Sequence, residues 1–93
     1  MISVSSENSK AQRLNNCASD LRTLKSNLSA YKSNLNQAWQ GQELSSINSA
    51  LDSLIQELGQ QASAADSIAS DIRTAAAKIR EQEEEARRRA ANP

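Results

Sequence analysis

Apolar residues recur along this chain with a seven-residue period, in two long runs separated by a short break. In the first run Leu14, Leu21, Leu28 and Leu35 occupy one heptad position, a. Cys17, Leu24, Tyr31 and Ala38 occupy a second, d, three residues further on. All eight are apolar or amphipathic in a chain that is only 38% hydrophobic. Chance would produce this with a probability of roughly 0.003 over the seven possible registers. Asn, Ser, Lys, Gln, Arg and Asp fill the intervening positions, so the spacing predicts an amphipathic helix with a narrow apolar seam over about 6–39. The second run restarts at Leu44. Its a positions are Leu44, Leu51, Leu58, Ala65, Ile72, Ile79 and Ala86, and its d positions are Ile47, Leu54, Gln61, Ile68, Ala75 and Gln82. This predicts a second helix over about 43–88. Ile55, Ala62, Ala69 and Ala76 widen its stripe, and that extra row is expected to offer a face to a partner.

The break is Ala38-Trp39-Gln40-Gly41-Gln42-Glu43-Leu44, which holds the one tryptophan and one of the two glycines. A turn is predicted at 40–42. There glycine would supply the unusual backbone angles of a helix end, and the indole would cover the end of the seam. The expected fold is therefore all-α, an antiparallel two-helix hairpin forming one domain over 1–93, with flexible tails at 1–5 and 90–93. Ser5 or Ser6 is the expected N-cap of the first helix, and Glu43 is expected in the first turn of the second. The other glycine, Gly59, lies within the second helix, where it costs about 1 kcal/mol relative to alanine. Glu83–Arg87, Glu84–Arg88 and Glu85–Arg89 are i,i+4 pairs in the favourable order, so 81–89 reads as a solvated, fraying helix end.

Composition narrows the function. With two glycines and one proline, the chain has too few breakers for a β-rich fold. Eleven basic and eleven acidic residues balance, which removes the basic excess of a nucleic-acid or anionic-membrane binder. No apolar run reaches the roughly 18 residues of a membrane span, so no membrane insertion is expected. The first residues carry no basic n-region or apolar core, and no classical signal peptide is predicted. The chain is expected to be made in the cytoplasm, and to take a signal-peptide-independent route if it is exported.

Histidine is absent, and no glycine-rich phosphate loop exists. No catalytic residue, metal site, cofactor or enzymatic role is therefore predicted. Asp20, Asp52, Asp66 and Asp71 read as solvated carboxylates, and Cys17, on a d position, as a buried structural thiol. Two helices packed along one seam leave most of each helix wet, so a further helical surface is expected to complete a bundle. The residues expected to carry helix–helix contacts are Leu14, Leu21, Leu24, Leu28, Tyr31, Leu35, Leu44, Ile47, Leu51, Leu54, Ile55, Leu58, Ile68, Ile72 and Ile79. Partner recognition is expected at Trp39, part of whose indole would remain exposed at the corner.

A chain of 93 residues with Trp39-Gln40-Gly41 between two heptad helices resembles the WXG100 (ESAT-6-like) superfamily. The resemblance covers the whole length, and it implies that Trp39 and Gly41 are the motif pair that carries recognition. It implies a hairpin that pairs with itself or a relative into a four-helix bundle, and that is a substrate or accessory partner of a type VII (Esx) secretion system in Gram-positive bacteria. Many exported members also carry Y-x-x-x-D/E after the second helix, beside the W-x-G of the other protomer. Here the single tyrosine is Tyr31, the residue four later is Leu35, and no aromatic follows Trp39. The resemblance then implies that a partner supplies the missing half. A hetero-oligomer is favoured over a homodimer, with this chain acting as a targeting chaperone for another small hairpin or for the N-terminal helical domain of an LXG-type toxin. The alternative is a coiled-coil structural, needle or filament subunit with no type VII role.

Overall fold

The computed structural model describes residues 3–92. Two helices, α1 (Val4–Ala38) and α2 (Leu44–Ala91), pack against each other along their lengths as an antiparallel hairpin, with no strand among the described residues. The result is a rod of 79 × 15 × 14 Å.

α1 begins earlier than the sequence pattern suggests, because Ser3 caps it and not Ser5 or Ser6. The Ser3 hydroxyl accepts from the Ser6 backbone N–H at 3.3 Å, satisfying one of the four donors left open by a helix start. α2 continues to Ala91, three residues beyond the expected end at 88. Val4, Ser5, Ala90 and Ala91, expected in flexible tails, are thus helical, while Met1, Ile2 and Pro93 lie outside the described residues. Arg88 and Arg89 in the last turn suit the negative end of the helix dipole. Of the three expected i,i+4 pairs, Glu85–Arg89 is formed, at 2.6 Å.

Packing departs from the expected seam. Heptad position a does face the other helix: Leu14, Leu21, Leu28 and Leu35 on α1, and Leu44, Leu51, Leu58, Ala65, Ile72 and Ile79 on α2, are buried or half-buried. The second row of the seam, however, is e and not d. Ala11 and Ala18 on α1, and Ala62, Ala69 and Ala76 on α2, are at most 2% exposed. The d residues Leu24, Tyr31, Leu54 and Ile68 are 43–57% exposed, and Cys17, Ala38 and Ala75 are exposed as well. Cys17 is therefore a surface thiol, contrary to the buried one expected. The alanine row on α2, expected to await a partner, is the inside of the hairpin.

The physical reason is size. Alanine at e lets the helix backbones approach closely, so that the larger a residues are gripped from both sides. Ala18, Ala62 and Ala65 form one buried cluster, with Leu14 and Leu21 packed against it. Gly59 lies beneath the Lys25 side chain, and a Cβ there would sit 3.0 Å from Lys25 Nζ. That neighbour is the far end of a flexible side chain, so Gly59 is a tolerated glycine and marks no bend that the contacts require.

Candidate functional site: the corner and the two flanks

The chain reverses at the corner in five residues. Trp39 ends α1 in an extended conformation (φ −129°, ψ 136°), its N–H still donating to Leu35 O at 2.9 Å. Leu44 N–H donates to Gly41 O at 3.1 Å, which closes the turn into α2. Glu43 takes the N-cap position and not the first turn, and its side chain makes no cap hydrogen bond.

Gly41 does not supply a left-handed backbone. No glycine among the described residues has a positive φ. Glycine is needed for space instead. A Cβ at position 41 would lie 2.8 Å from Trp39 Nε1, 3.2 Å from Cε2 and 3.5 Å from Cζ2. The five-membered edge of the indole rests on the bare Cα of Gly41, and any side chain would displace it. This gives the W-x-G spacing a mechanical meaning: the glycine two residues on is the seat of the tryptophan. So seated, Trp39 remains 40% exposed at the end of the rod. An exposed, immobilised aromatic with an N–H at its edge has the character of a recognition anchor.

The long flanks of the rod are unlike each other. Both helices pack through the same rows, a and e, and they run antiparallel. Like rows of the two helices therefore fall on the same side of the plane that holds their axes. The b row lies on one side and is polar, and the polar e residues Lys32 and Asn48 reach out to it. Asp66 accepts from Arg22 at 2.6 Å and from Asn15 at 2.8 Å, while Lys32 reaches Asp52 at 2.6 Å. Nearer the corner, Asn36 and Asn48 exchange reciprocal amide hydrogen bonds of 2.7 and 2.8 Å. Arg73 and Gln12 stand 3.5 Å apart nearer the other end. Exposed pairs of this kind contribute little individually, but each one fixes the register in which the helices lie side by side. The d rows of both helices lie on the opposite side. Leu24, Tyr31, Leu54 and Ile68 there make an apolar flank that the hairpin leaves about half exposed.

The carboxylates read as solvated include one with a structural task. The Arg22 guanidinium, and after it the Asn15 amide, hold the Asp66 carboxyl below its ordinary range, against a smaller opposing effect of partial desolvation. A lowered carboxylate pKa stabilises the fold above the unfolded value, and that stabilisation is lost as pH falls through the folded value. We expect wild type and Asp66→Asn to differ in thermal midpoint at pH 7. The difference should shrink as pH drops below about 4, where the unfolded aspartate protonates. Thermal melts of both proteins across that range check it, and a difference independent of pH would remove Asp66 from the register lock.

α2 is longer than α1, and 81–92 are exposed throughout. Val4, the start of α1, lies level with the residues just after Ile79, so the last turns of α2 project alone beyond the hairpin. They carry acidic Glu81 and Glu83–Glu85, then basic Arg87–Arg89. No helix among the described residues is long and apolar enough to cross a membrane.

The residues singled out from sequence thus separate into three places. Trp39 and Gly41 are brought into contact at the corner. Leu14, Leu21, Leu28, Leu35, Leu44, Leu51, Ile55, Leu58, Ile72 and Ile79 lie in or beside the hairpin seam, with Ile47 half-buried near the corner. Leu24, Tyr31, Leu54 and Ile68 stand outside it. Ala11, Ala18, Asn15, Arg22, Asn36 and Asn48 were missed. The recurrence of small residues at Ala11 and Ala18, mirrored by Ala62, Ala69 and Ala76, is the signal that could have found the e row.

A family model described as "WXG100: Proteins of 100 residues with WXG" matches residues 2–84 of the chain. No curated protein matches it, and no solved structure does.

Proposed function

We propose a function from one premise: the chain belongs to the WXG100 family. Membership makes it a helical protein associated with type VII secretion, in a family of small secretion substrates and not of enzymes. Beyond that, our reading is that the hairpin pairs with another helical protein through its apolar flank and displays Trp39 as the W-x-G half of an export signal. The observation that carries this is the corner itself, where an indole seated on Gly41 stays 40% exposed at the end of a rigid rod. An indole needed only to close the hairpin would be covered by it.

No aromatic follows Trp39 within these 93 residues, and on our reading a different protein of the exported assembly supplies the Y-x-x-x-D/E half of the signal. The N-terminal helical domain of an LXG-type toxin, or another small hairpin, fits that role, and this chain would then be its targeting partner.

The test is export from a host with an intact type VII system, comparing wild type with Trp39→Ala. Export of the chain and of its bound cargo should fall by tenfold or more, the scale on which interface tryptophans act. Helical circular dichroism and pairing should be retained. Normal export of Trp39→Ala would overturn the reading.

A further inference from the structure

We propose that Asn36 and Asn48 are the positioning residues of the recognition corner. Their paired amides lock the end of α1 to the start of α2, and with it the Trp39 indole to its seat on Gly41. The proposal rests on reading Trp39 as the recognition anchor, and it names what holds that anchor still.

The seat is shared between the two helices. Trp39 is tied to α1, since its N–H still donates to Leu35 O at 2.9 Å. Gly41 is tied to α2, since its carbonyl accepts from Leu44 N–H at 3.1 Å. The ring therefore rests on the glycine only while the two helix ends keep one relative position.

Local capping does not hold those ends. The last turn of α1 has no basic residue to meet its open carbonyls. The first turn of α2 has no acidic residue, and Glu43 at its N-cap makes no side-chain hydrogen bond. No glycine of positive φ closes α1. The far end of the rod is the opposite case. There Ser3 caps α1, Glu7 lies in its first turn, and Arg88 and Arg89 lie in the last turn of α2. Capping chemistry is concentrated at that end, and the corner relies on bonds between the helices.

Among the described residues, the amide pair is the cross-helix hydrogen bond nearest the corner. Asn36 lies in the last turn of α1 and Asn48 in the second turn of α2, and both are half-buried. Asn36 Nδ2 donates to Asn48 Oδ1 and to Lys32 O, both at 2.7 Å, while Asn36 Oδ1 accepts from Asn48 Nδ2 at 2.8 Å. Only a donor can meet the Lys32 carbonyl, so that bond fixes which way the Asn36 amide points, and the pair then fixes Asn48. Leu35, Leu44 and Ile47 are half-buried at the same end, but apolar contacts are non-directional and allow the helix ends to slide or turn. Two opposed hydrogen bonds do not. The next rung is Lys32–Asp52, whose carboxylate is exposed, and an ion pair of that kind contributes little and weakens in salt. The neutral amide pair is neither titrated nor screened.

Amide hydrogen exchange on the full chain, followed by NMR, tests this in Asn36→Ala and Asn48→Ala. Alanine is the better helix former, so neither change weakens its own helix. The Trp39 and Leu44 amides report the two sides of the seat. Both should exchange about 5–30-fold faster, the factor expected from losing a pair of neutral hydrogen bonds. The Ala62 and Ala65 amides, in the middle of α2, should keep the wild-type rate, and acrylamide should quench Trp39 more strongly. The double variant should be no faster than either single one, because each alone undoes the pair. Lys32→Ala should leave the corner at wild-type rates. Wild-type exchange at Trp39 and Leu44, or unchanged quenching, in both single variants would overturn the proposal. So would equal acceleration along the whole of α2, as from a contact that merely supports the hairpin, or a corner loosened as much by Lys32→Ala. Normal export of Trp39→Ala beside a corner that loosens as stated would sink the proposed function and leave this inference about what holds the ring. Lost export of Trp39→Ala with Trp39 held fast in both asparagine variants would do the reverse.

Discussion

Ala62→Leu should destabilise the hairpin by about 1–3 kcal/mol, the usual cost of overpacking a close contact. The thermal midpoint would fall by about 4–8 °C for each kcal/mol in a domain of this size. Ala62 is fully buried between the two helices, in one cluster with Ala18 and Ala65. Three added carbons have no room there unless the helices move apart, and separation would loosen the grip on Leu14 and Leu21 as well. Ala64→Leu is the control. Its site is exposed, two residues along the same helix, and the same substitution should change the midpoint little. Thermal melts followed by circular dichroism compare the two. Equal effects would mean that the alanine row is not the inside of the hairpin.

At the corner, Gly41→Ala is expected to unseat Trp39 without unfolding the helices. One methyl group would stand 2.8 Å from Nε1, and the indole, at the open end of the rod, is freer to move than the backbone beneath it. Trp39 is the one tryptophan, so intrinsic fluorescence reports on this seat alone. Its emission should shift to the red as the ring enters water, with helical circular dichroism unchanged. On the proposed function, export should fall with it by an amount comparable to Trp39→Ala, because an anchor that is not held loses about 2 kcal/mol or more of recognition. Gln40→Ala, between the two, should do neither. If Gly41→Ala keeps the wild-type emission, the glycine is not a seat and the W-x-G spacing needs another cause.

These two experiments bear on parts of the molecule that were legible to different degrees. The corner was legible in residue identity and not in mechanism. Trp39 and Gly41 stand out in a chain nearly free of aromatics and glycines, but composition suggested a glycine chosen for its backbone angles. Its φ is not positive, and what singles it out is the absence of a Cβ beneath the ring. That relation depends on where α1 ends. Once Trp39 leaves the helix in an extended conformation, its side chain can fold onto the residue two further on.

Two helices, the place where the chain reverses and the apolar residues of each helix are all legible without the fold. These follow from local causes: a seven-residue period, the near absence of breakers, and capping chemistry close to the ends. The sequence alone leaves open which apolar rows face each other. Rows a, d and e all fall within one broad stripe, and a and d carry the larger side chains, so hydrophobicity alone points to an a/d seam. The tertiary structure chose a and e. Small side chains at Ala11, Ala18, Ala62, Ala69 and Ala76 let the helices close together, and that rotation brings Asn15, Arg22 and Asp66 within hydrogen-bonding distance. Both gains belong to the pair of helices and to neither alone, which is why no reading of one segment contains them. The same rotation turns Leu24, Tyr31, Leu54 and Ile68 outward, so the surface left for a partner is itself a consequence of how the hairpin closes.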